Sequence, residues 1–300
     1  MATYLKHVAI IGASGSIGKI ILDGLVASSH FEITVISRKD SEATFPSGIT
    51  VLRAEYSDLG LEAAFKGQDV VISAVGASAF GEQKKFVDAA IRAGVKRFIP
   101  SEFSANSQND AVLQLLPLFR QKKELIEYLK IKEADGLTWT GIASSGLFDW
   151  GLANGFLGFD FASHTATIWD GGDKSFTLTN QKALGEAVAS VLLHPHETEN
   201  QFLFIASVET TQKDILAALE EKSGVGWIVN RTTTDIQVGE GVKKLAAGDF
   251  NGALALVRAT VFGNTPGLRS DYAKEEKLAN SVLGLHMEAV SDVVKHMFNE

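Results

Sequence analysis

Three glycines at intervals of three, Gly12, Gly15 and Gly18, follow a short apolar run and precede an amphipathic one. Strand, glycine turn and helix in that order form a cradle for the pyrophosphate of a dinucleotide. Gly12 can take the tight turn out of the strand, and Gly15 has no Cβ to hold a phosphate away. Gly18 lets the helix lie close to the sheet. The first-turn N–H groups and the positive end of the helix dipole then face the phosphates. Ser14 and Ser16 add hydroxyl donors, and Ile17 lies in the same turn.

A second group of residues would choose the cofactor. About 20 residues past the glycines, Arg38 and Lys39 stand at the expected C-terminal edge of the second strand. An acidic residue there would accept the ribose 2′-OH of NAD, whereas an arginine accommodates the 2′-phosphate of NADP. Asp40, close by, leaves a plain surface ion pair as the alternative. Ala74, Val75 and Gly76 end an apolar run, where small residues let the backbone approach a cofactor. NADP(H) is the cofactor these positions imply.

The elements that must position these groups alternate. Strands are expected at 31–36, 49–53, 69–74, 97–100 and 137–142 after the first one. Between them lie helices running to about Ser28, from a Ser57 cap through Phe65, over 83–93 closing on Gly94, and over 118–133. The pattern predicts an α/β fold, a doubly wound parallel sheet of the Rossmann type. Residues 1–143 form the NADP-binding domain in this reading. Residues 144–300 form a smaller, mostly helical substrate lobe, interleaved with the first rather than free-standing. Within that lobe, 144–163 reads as a long aromatic and glycine-rich loop, a substrate lid or an ordinary cover of the core. Segments 165–169 and 175–179 read as a hairpin joined through Asp170-Gly171-Gly172-Asp173. A helix over 184–193, a strand over 202–206 and a helix from Lys213 follow, with mostly helix from Trp227.

Composition narrows the function. The chain has 300 residues, 45% hydrophobic, a formal net charge of −8 and no basic run, so nucleic acid and an anionic membrane are unfavoured partners. It has no cysteine, which excludes disulfides, thiolate nucleophiles and thiolate metal sites. No apolar stretch reaches the ~18 residues of a membrane span and no signal peptide is evident, so a cytoplasmic monomer or homodimer is expected. The seven histidines do not cluster at metal spacing, and no metal is expected.

Several stretches together resemble the NmrA-like, isoflavone-reductase-like family of atypical short-chain dehydrogenases, closest to its fungal oxidoreductase branch. They are 11–18, 68–76 (QDVVISAVG), 93–103 (AGVKRFIPSEF), 137–152 (LTWTGIASSGLFDWGL) and 192–207 (LLHPHETENQFLFIAS), about the first two thirds of the chain. The resemblance implies NADPH-dependent reduction of a small aromatic, carbonyl- or enone-bearing metabolite. It also implies a catalytic lysine on the helix after the fifth strand, beside the cofactor, which falls on Lys122. Lys122, Leu125 and Leu129 share one helical face. The adjacent Lys123 could instead be the inward one. Phe103, Ser104, Leu147 and Phe148 are the expected substrate contacts. Two positions depart from the family pattern, where Ser104 and Ser145 stand in place of glycine. Another reading takes Tyr128 and Lys132 as a Y-x-x-x-K acid/base pair with Ser101 holding the carbonyl. In the NmrA branch itself the same cradle would serve a redox-sensing regulator acting through a protein partner without turnover.

Overall fold

The computed structural model describes residues 5–249 and 251–298. Its strands begin β1 (His7–Ile11), β2 (Glu32–Arg38), β3 (Thr50–Ala54), β4 (Val70–Ser73), β5 (Arg97–Ile99) and β6 (Thr138–Ala143). They continue as β7 (Gly146–Leu147), β8 (Phe159–Asp160), β9 (Thr165–Trp169), β10 (Phe176–Thr179), β11 (Gln201–Phe204), β12 (Val208–Thr210) and β13 (Ile228–Thr232). Seven of these form one all-parallel sheet in the order β11-β6-β5-β4-β1-β2-β3. The first six lie within a residue or two of their expected places. From β1 the chain winds outward to β3, then returns past β1 to β4. The reversal between β1 and β4 opens a crevice at the C-terminal strand ends, where such sheets bind ligands.

Alternation along β1 explains why helices cover both faces. Val8 and Ile10 pack with α1 (Ser16–Ser28) and a later helix, while Ala9 and Ile11 pack against α2 (Asp58–Phe65) and α3 (Gln83–Arg92). Ser57 caps α2, accepting a hydrogen bond from the Gly60 N–H, and Gly94 at φ +78° turns the chain out of α3. The expected helix over 118–133 is α5 (Arg120–Lys132), preceded by α4 (Asp110–Leu115), a short helix that the sequence pattern did not single out. After α6 (Phe148–Ala153), α7 (Gln181–Leu193) packs beside α1 so tightly that a Cβ on Gly24 would lie 2.4 Å from the Gly185 backbone.

The remaining chain departs from its sequence pattern in three places. Residues 144–163 are not an open loop: they contain β7, α6 and β8, and Phe148 and Phe159 are wholly buried. The segments around Asp170–Asp173 are not a hairpin, since β9 pairs with β8 and β13 while β10 pairs with β7 and β12. Asp170, Gly171 and Gly172 all take positive φ, and the Asp170 carboxylate accepts the Thr234 N–H at 3.0 Å. The turn is thereby tied to a helix start and sends the chain into a second sheet. Beyond Trp227, β13 precedes the expected helices because its five residues pair in parallel with β9. Before Trp227 lie α8 (Pro195–Thr198) and α9 (Gln212–Ser223); after it come α10 (Thr234–Ala246), α11 (Asn251–Phe262) and three short helices at Tyr272–Glu275, Asn280–Leu283 and Val290–Met297. The core that α9 and α11 share also takes in Ala105, Val112 and Phe119, so the chain crosses between the two halves more than once.

Candidate active site

Two adjoining clefts share the glycine turn. In the first, of about 430 Å³, Gly12, Ser14 and Gly15 face Arg38 and the strand end Ala74-Val75-Gly76. Gly12 sits at φ +81°, and a Cβ there would lie 2.5 Å from the Ala74 carbonyl oxygen. A Cβ on Gly18 would lie 2.1 Å from the Gly12 carbonyl oxygen, so packing alone requires both glycines. Gly15 is different. The nearest atom to a Cβ there is 3.4 Å away, so the protein itself has no need of a glycine at that position. The α1 N-terminus has neither a side-chain cap nor an acidic residue in its first turn. An uncapped positive helix end beside an unfilled glycine surface fits a phosphate ligand.

Arg38 lines the same cleft with its side chain 70% exposed and only a long contact, 3.9 Å, to Asp40. Ser37 and Ser41 flank it as hydroxyl donors that the sequence pattern did not single out. Lys39 turns away, against expectation: alternate residues of an extended strand end point to opposite sides, and its ammonium pairs with Glu55 at 2.9 Å.

The second cleft, about 300 Å³, begins at Ser16 and Ile17 and is walled by Phe103, Ser104, Leu147, Phe119, Trp150 and Phe156, with Val257 and Val261 of α11 opposite. Phe148 does not belong to this wall. It points inward from α6 and is fully enclosed in the core, one residue beyond Leu147, which does face the cleft. Ser145, buried, also lines the cleft, with φ 56°.

Lys122 lies behind this wall, only 3% exposed, because α5 presents it on the face of Leu125 and Leu129. Its Nζ donates to the Glu102 carbonyl oxygen and to Ser104 Oγ, both at 2.8 Å. The rings of Phe119 and Phe80 cover it at 4.4 and 4.7 Å from their centroids. Burial pushes the ammonium well below the usual lysine range, and the nearby Glu102 charge offsets part of this. Glu102 is itself buried, which pushes its carboxyl upward against the opposing pull of Lys122. Lys123 points outward to Asp110 at 3.2 Å.

The Y-x-x-x-K pair has no part in either cleft. Tyr128 donates its phenol to Asp88 at 2.5 Å, while Lys132 pairs with Asp135 at 2.9 Å. Burial and the Asp88 carboxylate raise the phenol above its ordinary range, the wrong direction for an acid/base tyrosine. Ser101 instead donates to the Val75 carbonyl at 2.8 Å, fixing the strand end beside the first cleft.

A family model described as the NmrA-like family matches residues 5–279. The chain belongs to that family. The match runs well past the two thirds that carry the motifs. Among NmrA-like relatives, oxidoreductase aprR of Aspergillus flavus is 37% identical, over 96% of this chain and 97% of its own. Leucoanthocyanidin reductase from Vitis vinifera, solved as a binary complex with NADPH, superposes with a TM-score of 0.78 at 17% identity, covering 97% and 99% of the two chains. A structure of AtPrR2 with NADP+ and (+)-pinoresinol gives 0.76 at 17% identity, covering 99% and 100%. Among the described residues of this NmrA-like chain, no group of three or more His, Asp or Glu side chains is placed to hold a metal. None of its described helices is long and apolar enough to cross a membrane.

Proposed function

We propose that the chain is an NADP-dependent oxidoreductase that reduces a small, neutral, aromatic carbonyl or enone compound. The observation carrying this reading is the buried ammonium of Lys122, one hydroxyl away from an apolar cleft that adjoins the glycine turn. When bound, NADPH supplies the hydride. Gly12, Ser14, Gly15, Ser16 and Ile17 would hold its pyrophosphate, Arg38 its 2′-phosphate, and Ala74, Val75 and Gly76 would let it lie against the sheet. The aromatic and aliphatic wall excludes water and favours a flat apolar substrate. No ionisable side chain lines this cleft, which argues against a charged one. In this reading residues 1–143 supply the cofactor site and residues 144–300 most of the substrate wall.

The fungal relative called an oxidoreductase supports the reaction class, and the reductase solved with NADPH supports the cofactor. A redox sensor without turnover would have no need of a buried lysine behind its substrate wall. The test is NADPH consumption with a panel of aromatic ketones and enones. Turnover of any panel member is expected. NADPH binding without turnover of any member would favour the sensor.

A further inference from the structure

We propose that Ser104 is the proton donor to the substrate, the one hydroxyl through which Lys122 acts in the cleft; this rests on the reductase reading above. The cleft wall contains no Asp, Glu, His, Lys, Arg or Tyr. Among the side chains of that wall, the hydroxyls are the groups able to pass a proton to a substrate oxygen. Four such residues line it, Ser16, Ser104, Ser145 and Thr260, and of these only Ser104 has a cation bonded to its oxygen. Thr260 Oγ1 donates instead to the Val257 carbonyl at 2.7 Å. Lys122 itself is absent from the wall, with Phe80 and Phe119 over its ammonium.

The hydrogen bonds set the direction of transfer. Lys122 Nζ donates to Ser104 Oγ at 2.8 Å, and Ser104 Oγ donates to the Glu102 carbonyl at 2.6 Å. A hydroxyl has one proton and two lone pairs. The Ser104 proton can therefore swing from the Glu102 carbonyl to a ligand oxygen without losing the bond from Lys122. As the substrate carbonyl carbon gains hydride, its π pair moves to oxygen and takes the Ser104 proton. Ser104 Oγ takes a proton from Lys122 in the same movement, so no alkoxide remains on serine. Lys122 is left as the neutral amine and regains its proton from solvent between turnovers. Burial makes that ammonium more acidic than a free lysine, which suits a donor near neutral pH.

The test compares Ser104→Ala and Ser104→Thr with the wild type. Turnover should fall about 10²-fold in Ser104→Ala, with NADPH affinity within about threefold, and largely return in Ser104→Thr. A second readout needs no substrate: 15N NMR titration of the Lys122 Nζ, assigned by its loss in Lys122→Met. Its midpoint should fall in Ser104→Ala, because the buried ammonium loses an acceptor. An unmoved midpoint, or Ser104→Ala turnover within about threefold of wild type, would overturn the proposal. If wild-type protein binds no NADPH, the reductase reading fails and the donor role with it, whatever the Lys122 midpoint does.

Discussion

On the proposed reading, Lys122 sets the alkaline limb of activity. Its ammonium is enclosed by two aromatic rings, and burial lowers its titration below the ~10.4 of a free lysine. Turnover should decline with a midpoint below that value as the donor becomes neutral. Unfolding by this group cannot cause the decline: a lysine with a lowered folded pKa binds fewer protons folded than unfolded across the window. Its contribution to stability therefore rises with pH there. A pH profile read beside a melting curve separates the two, and an alkaline limb that follows unfolding would remove Lys122 from the chemistry. Lys122→Met should cost about 10²-fold in turnover and leave NADPH affinity nearly intact. The resemblance and the helical spacing carried the reading as far as the apolar face of Lys122, Leu125 and Leu129. They could not show that Ser104 stands between the lysine and the cleft, since that contact joins α5 to a loop 18 positions away. Nor could spacing place Phe148 in the core, one residue from a cleft residue, because α6 was not recognised.

Among the elements, the turn from β1 into α1 tolerates least change. Gly12 combines a positive φ with a carbonyl of the neighbouring strand end pressed against it. Gly12→Ala should cost about 3 kcal/mol, the sum of a left-handed backbone and overpacking, measured by denaturant unfolding. A variant as stable as wild type would contradict the described turn. Gly15→Ala should leave stability nearly unchanged and weaken the dinucleotide instead, since only the ligand needs that space. The parallel sheet was legible because β1 and β4 are largely apolar on both faces and signals such as Ser57 and Gly94 punctuate the helices between strands. The small sheets were not. Strand β7 has only two residues and β13 is largely exposed with no apolar alternation, so neither carries a period. A run of left-handed residues at Asp170–Gly172 resembles a hairpin turn until the Thr234 contact is known. The role of Arg97 was likewise hidden: it opens an expected strand, yet it is buried and donates to Thr138, Thr140, Thr198 and the Pro195 carbonyl, joining β5 to β6 and α8.

At the scale of the molecule, Asp69 ties the first strand to the centre of the sheet and sets part of the acid limit. Burial would raise its carboxyl, but the N–H groups of His7 and Lys6 and the Lys96 ammonium prevail and hold it at about 2. Its stabilising contribution is complete above the ordinary value and is lost as pH falls from roughly 4 toward 2. Asp69→Asn should flatten the acid branch of the stability curve on the order of 1 kcal/mol after solvent screening; an unchanged branch would assign acid unfolding to other groups. The central claim is that the glycine turn and Arg38 together form an NADP site. Calorimetric titration of wild type and Arg38→Ala with NADPH and NADH tests it most directly. Tight NADPH binding, much weaker NADH binding, and loss of that preference in Arg38→Ala are expected. Equal binding of both cofactors by the wild type, or of neither, would contradict it.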